Sequence, residues 1–332
     1  MEGVTLNLWM VIGFLLAAYA VVANDSLQTL GTYITSNDGT TPKWIQMAFI
    51  SAITTAVLLV GWHVHSGDPS WGRLALFPMP APFTWVYVIP PLVVLALTAW
   101  GAPVSTSFLV LSSFVPSQST RLIQSSLCGY GLALVIALSS WGLGLWVLER
   151  WVWRSPRCGA PINPIWLALQ WGSTAVLWGL WMVQDMGNIF VYLPRTLNGP
   201  AMASATLILC LGLCILIALG GGPIQTVLRS KTDTTDLRSA TVIDCVFGLC
   251  LLAQALLSSF PLSTTWVFLG VLAGRELALL SRKQPWEALN NARSGTVVLR
   301  SMGSDLGKAT VALVVSVVVA LALQPLIVWT VQ

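Results

Sequence analysis

Two aspartates stand in otherwise apolar sequence, each with amide side chains within one helical turn. Val22-Ala23-Asn24-Asp25-Ser26-Leu27-Gln28 follows the uncharged run LWMVIGFLLAAYAV, and Met182-Val183-Gln184-Asp185-Met186-Gly187-Asn188 follows IWLALQWGSTAVLWGLW. The amides exchange places around a fixed aspartate, Asn-Asp-x-x-Gln against Gln-Asp-x-x-Asn. Carboxylate and amide oxygens at i, i−1 and i+3 offer from one helical turn the hard ligands that suit Na+. A charged carboxylate at the centre of a bilayer costs about 2.5–3.5 kcal/mol on insertion scales. No Lys or Arg occurs in the same runs to offset it. A bound cation, a proton or a water-filled cavity remain as stabilisers. Hydrogen-bonding glue between helices is the competing reading, and it suits a lone Asn better than two matched Asp-centred sets.

A second pair of motifs asks for the opposite charge. Residues 103–107 read PVSTS and residues 261–265 read PLSTT. Proline ends one segment, and a helix starting at Ser-Thr leaves its first N–H groups unsatisfied beside hydroxyls. Such an N-terminus binds oxyanions without any arginine. Ser105, Thr106 and Ser107 with Ser263, Thr264 and Thr265 could cradle an anion from two sides. Ordinary N-capping explains the residue types but not their duplication beside the acidic sets.

Composition says what must position these groups. The 332 residues are 56% hydrophobic and 8% charged, with a mean hydropathy of +0.79. A soluble domain carries about 25% charged residues. The apolar runs do not alternate as barrel strands do, so the chain is expected to be an all-α polytopic membrane protein. The start, Met1-Glu2-Gly3, lacks the basic region of a cleaved signal. Asp25 precedes Pro103 by 78 positions and Asp185 precedes Pro261 by 76, which reads as a duplication: an N-terminal repeat over 1–150 and a C-terminal repeat over 160–332.

Full spans are expected near 9–33, 44–62, 122–148, 165–193, 201–220 and 308–331. Re-entrant hairpins are expected near 83–116 and 240–280, broken at Gly101, Pro103 and Pro261. This topology gathers Lys43, Arg150, Arg154, Arg157, Arg229, Lys231, Arg238, Arg282, Lys283, Arg293, Arg300 and Lys308 on one face. Arg73, Arg121 and Arg195 fall on the other. Twelve against three is a positive-inside signal that places the N-terminus outside and makes the repeats inverted, with hairpins from opposite faces. Inverted repeats with broken segments meeting at mid-membrane are a transporter signature.

At these residues the chain resembles the inorganic phosphate transporter family. That family carries a duplicated Gly-Ala-Asn-Asp-x-x-Asn signature and duplicated Pro-x-Ser-Thr-Thr-His tips, and couples phosphate uptake to Na+ or protons. The resemblance implies cation sites at Asn24, Asp25, Gln28, Gln184, Asp185 and Asn188, and phosphate-binding tips at Ser105, Thr106, Ser263 and Thr264. It also implies an accessory acid at Asp244, and Gly221-Gly222-Pro223-Ile224-Gln225-Thr226 matches a further family stretch. The departures are Val22 for Gly, Gln28 and Gln184 for Asn, and Phe108 and Trp266 for His. The family includes sulfate-transporting members, so a changed pocket leaves the anion open.

The expected activity is therefore symport of an inorganic oxyanion, phosphate first, coupled to Na+ ahead of H+, by alternating access across a plasma membrane. Symport of sulfate or bicarbonate, and a non-transporting accessory subunit, stay as alternatives. No cofactor is expected beyond the coupling ion, and no metal beyond Na+. The partners are the oxyanion and the lipid bilayer, with no nucleic acid, and a homo-oligomer is compatible. An enzyme is not expected, because His63 and His65 are the only histidines and lie far in sequence from either aspartate. Their HxH spacing lacks the further ligands of a metal site. Gly129, Gly131, Gly142 and Gly144 are expected to permit close helix approach, and the basic stretch Arg150–Arg157 reports topology.

Overall fold

The computed structural model describes residues 6–145, 147, 164–220, 237–257, 261, 263–281 and 295–331, and every regular element among them is a helix. The chain is a polytopic all-α membrane protein. In the first half α1 spans Leu8–Ser36, started by the Asn7 side chain accepting the Met10 N–H at 2.9 Å. α2 spans Lys43–Val64. A 3-10 turn at Trp85–Val88 leads into α3, Ile89–Ala99, whose Pro90 and Pro91 occupy the first turn, where a missing N–H costs little. Gly101 then turns the chain with φ 77°, a left-handed conformation suited to glycine. Past Pro103 the chain restarts as α4, Thr106–Phe114, and α5 follows at Ser119–Ser140, extended by a π turn at Trp141–Leu145.

The second half repeats this plan. α6 spans Pro164–Asp185, α7 is the single turn Gly187–Phe190, and α8 spans Gly199–Ala218 with Asn198 as its cap. α9 spans Leu237–Leu257, α10 Thr264–Ser281 and α11 Gly295–Val331. The packing pairs interchange between halves. α3 lies on α1 as α9 lies on α6; α4 lies on α11 as α10 lies on α5; α1 meets α8 as α6 meets α2. Each hairpin thus leans its first arm on its own half and its second arm on the last helix of the other.

Six helices among the described residues are long and apolar enough to cross a membrane: Leu8–Ser36, Lys43–Val64, Pro116–Leu145, Gly199–Ala218, Leu237–Leu257 and Met302–Thr330. The expected span 165–193 differs. α6 stops at Asp185, and its polar and tryptophan-rich sequence holds its hydropathy below that of the six. Leu237–Leu257 takes its place, because no proline interrupts this first arm of the second hairpin and 21 residues make about 31 Å of helix. α1 is the central element, with 67% of its apolar window buried against 22% for α11. On α8 and α11 the outward residues are Leu207, Leu211, Ile215, Val311, Val314 and Val318. The exposed surface of these helices is aliphatic, while a mainly apolar interior also holds buried polar groups.

Of the four glycines expected to permit close helix approach, only Gly129 lies against a neighbouring helix. A Cβ on Gly131, Gly142 or Gly144 would meet nothing within 4 Å, while Gly129 faces Gln254 Nε2 at 3.0 Å. The tight contact belongs to Gly270 and Gly274 on α10, where a Cβ would stand 2.5 Å from the Tyr130 carbonyl oxygen and 2.6 Å from that of Leu134. This small-x-x-x-small pair lets α10 touch the α5 backbone.

Candidate functional site

The two hairpin tips meet the two aspartates in a single buried cluster. Asp25 and Asp185 lie in the middle of α1 and at the last residue of α6, with 1% and 0% of their surfaces exposed. Asp25 Oδ2 accepts a hydrogen bond from Thr106, at the tip of its own half. Its Oδ1 accepts from the Asn24 amide at 2.8 Å and from Thr265, at the other tip, at 3.4 Å. Asp185 repeats this oxygen by oxygen. Its Oδ2 accepts from Thr264, and its Oδ1 accepts from Asn188 at 3.1 Å and from Ser107, across the halves, at 2.9 Å.

The remaining bonds lock the arrangement. Asn24 also donates to the Val104 carbonyl at 2.8 Å, and the single Thr265 hydroxyl proton is shared between that same oxygen, at 2.9 Å, and Asp25. Asn188 donates to Ser107 at 2.9 Å and Thr106 at 3.4 Å, which links the two carboxylates through two side chains. Ser105 and Ser263 serve as caps, accepting the N–H groups of Phe108 and Trp266 at 3.2 and 3.4 Å. Thr106, Ser107, Thr264 and Thr265, whose hydroxyls enter the cluster, are the first residues of α4 and α10. Gln28 reaches only the Asn24 oxygen, at 3.4 Å. The sequence reading divided these residues into cation and anion sets; in the fold, the hydroxyls of Thr106, Ser107, Thr264 and Thr265 are donors to the carboxylates.

Gln184 stands apart. It is 2% exposed, yet among the described residues neither its Nε2 nor its Oε1 has a hydrogen-bond partner. Its counterpart Asn24 uses its amide fully. Leaving a buried donor or acceptor unpaired costs about 1–3 kcal/mol, so this amide calls for a partner beyond the described residues.

Two contributors escaped the sequence reading. Trp181 stacks on Trp178 at 4.6 Å and donates its indole N–H to Thr264 at 3.2 Å, holding that hydroxyl towards Asp185. A Trp at this depth, away from the segment ends, was the available signal. The second is Arg73. It comes from the loop between α2 and α3, is 8% exposed, and donates from Nε to the Val183 carbonyl at 3.3 Å. No Lys or Arg lies in the runs around the aspartates, but Arg73 reaches one of them from a distant loop, and its charge and that of Asp185 act on each other. Burial lowers the Arg73 pKa, and Asp185 pushes it back up.

That loop is built to hold Arg73. Asp68 accepts from the Ser70 N–H at 2.8 Å, the Ser70 hydroxyl at 2.6 Å and the Gly72 N–H at 3.1 Å. Arg195 clamps the Phe77 carbonyl at 2.7 and 3.0 Å, and burial lowers its pKa to about 10. The HxH pair plays no visible part, with His65 lying against Trp71. No group of three or more His, Cys, Asp or Glu side chains arranged for a metal occurs among the described residues. Gly221–Thr226 and Arg150–Arg157 lie outside them.

Asp244 occupies a separate network. Thr32 and Thr174 donate to its two oxygens at 2.5 and 2.6 Å, and Gln170 links Thr174 to Asn37 through contacts of 3.0 Å. Stepping back by the spacing of the two tips leads to Val86, beside a cluster of Phe83, Tyr87, Phe114 and Tyr192. Asp244→Asn should preserve the fold, because both threonine hydroxyls can turn to suit an amide. Asp244→Leu should lower stability by about 2–4 kcal/mol by orphaning both threonines. Thermal unfolding of the two purified variants separates them.

No family model matches the chain, and no curated protein does. A solved structure described as the sodium-dependent phosphate transporter superposes with a TM-score of 0.59, covering 97% of this chain and 98% of that one at 14% sequence identity. At that identity the likeness is one of fold.

Proposed function

We propose that the chain is a secondary active symporter that couples a cation, Na+ ahead of H+, to the uptake of an inorganic oxyanion, phosphate first. The observation that carries this reading is the crossed pairing, in which each carboxylate receives one hydroxyl from its own tip and one from the opposite tip. Such a cluster couples two ligands of opposite charge. With no ligand, the hydroxyl protons serve the carboxylates. A cation seated on a carboxylate takes over its lone pairs and frees those protons. The freed hydroxyls, with the N–H groups at the starts of α4 and α10, then suit an oxyanion. Each ligand prepares the other's site, which is the reciprocity that coupling requires.

The Gln184 amide, which has no partner among the described residues, supports a ligand at this place, since its oxygen suits a cation and its N–H groups an anion. The description of the similar structure supports phosphate and Na+ over sulfate, bicarbonate and H+. Burial of both aspartates and all four hydroxyls argues against an accessory subunit, because such groups are costly to keep without a ligand. The crossed pairing must open for either ligand to leave, which favours alternating access over a pore. The charge bias of the loops supports an N-terminus outside a plasma membrane.

The test is uptake of labelled phosphate, sulfate and bicarbonate into proteoliposomes under an inward Na+ or proton gradient. Na+-driven phosphate uptake is expected. Absence of flux for all three anions in folded, oriented protein rejects the reading.

A further inference from the structure

We infer that Arg73 is a tethered counter-charge for Asp185, so that the chain takes up its coupling cation at Asp25 alone. The inference rests on the symporter reading and fixes its stoichiometry.

The hydroxyl donors of the two acidic sites correspond, while the amide donor is the residue before Asp25 in one and the third residue after Asp185 in the other. The sites also differ in what surrounds them. Arg73 Nε holds the Val183 carbonyl, two residues before Asp185 and in the last turn of α6. Its Cβ lies 3.6 Å from where a Cβ on Gly187 would sit, so the side chain enters at the break between α6 and α7. The Asp68 turn and the Arg195 clamp fix the loop on either side of it. The hydrogen bonds of both carboxylates come from hydroxyls and amides; the Arg73 charge acts on Asp185, whereas Asp25 faces the like charge of Asp185.

A guanidinium is charged at every accessible pH. Held beside Asp185, it supplies the positive charge that a second Na+ would bring, and it repels that ion. Coulomb attraction in such a low-dielectric interior exceeds that in water several-fold, so one fixed charge suffices to bias the site. Asp25 keeps its carboxylate for a mobile ion. Capping the α6 C-terminus is the structural alternative, since an arginine there also satisfies a free carbonyl. A cap affects stability but does not change how many ions bind.

The experiment counts bound Na+ by equilibrium binding of 22Na+ to the purified full-length chain, with and without inorganic phosphate. The expected result is one Na+ per chain for the wild type and for Arg73→Lys, two for Arg73→Gln, and none for Asp25→Asn. If Arg73→Gln fails to fold, Arg73→Gln/Asp185→Asn removes both charges together and should bind one ion. Two ions in the wild type overturn the inference and leave the symporter reading standing. One ion in both the wild type and Arg73→Gln also overturns it, and marks Arg73 as a cap. No Na+ bound by the wild type strikes both the inference and Na+ coupling. Absence of anion flux with the expected counts strikes the symporter reading alone.

Discussion

Asp25→Asn is expected to reduce cation-driven oxyanion uptake to the background leak while leaving the protein at least as stable as the wild type. The amide keeps the shape of the carboxylate. Its oxygen can take the place of Oδ1, which accepts from Asn24 and Thr265, and its NH2 the place of Oδ2, where the Thr106 oxygen can accept. What disappears is a buried negative charge whose partner is the transported cation. Removing one partner of a buried charge contact costs about 2–5 kcal/mol, roughly a 30- to 5,000-fold loss of affinity. In buffer free of Na+ the same change relieves an uncompensated charge, so the thermal midpoint should hold or rise. Adding Na+ should raise the midpoint of the wild type by mass action and leave that of Asp25→Asn unmoved. Uptake into proteoliposomes and thermal unfolding, run on one preparation, read both effects. Retained cation dependence in the variant places the coupling ion elsewhere.

The acidic sets and the tips were legible because each breaks a local rule. A carboxylate in an uncharged run and a proline before a hydroxyl pair are conspicuous without any knowledge of the fold. Helices α1, α2, α5, α8 and α11 followed from uninterrupted hydropathy. The division of labour inside the site was not legible. Thr265 reaches Asp25 across 240 residues, and no local pattern encodes that contact. Arg73 lies in a stretch crowded with glycine and proline, which reads as a surface loop until Asp68 and Arg195 are seen to fold it inward. Hydropathy could not tell that α6 ends at Asp185, because Met186, Ile189 and Phe190 continue the apolar run past the break. The four-residue spacing of Gly270 and Gly274 was present in the sequence. Other glycines drew the attention, although only the packing partner decides which pair matters.

That glycine pair carries the second large effect. Gly270→Ala/Gly274→Ala should abolish uptake and destabilise the fold by about 1–3 kcal/mol per site, the usual cost of overpacking. A new methyl would stand 2.5 Å from the Tyr130 carbonyl oxygen at one position and 2.6 Å from the Leu134 oxygen at the other. Those obstacles are backbone and cannot rotate away. Ordinary van der Waals contact would require α10 to withdraw from α5 by about 1 Å. Thr264 and Thr265 form the first turn of α10, so the withdrawal draws their hydroxyls from Asp185, Asp25 and the Val104 carbonyl. Gly131→Ala is the control, since that position on α5 faces open space and alanine is the better helix former by about 1 kcal/mol. It should keep full uptake and gain stability. If the double variant behaves like this control, α10 does not touch α5 closely and the crossed pairing loses its mechanical basis. The opposite outcome, uptake lost with helical content intact, fits a site that depends on each tip being braced by the last helix of the other half.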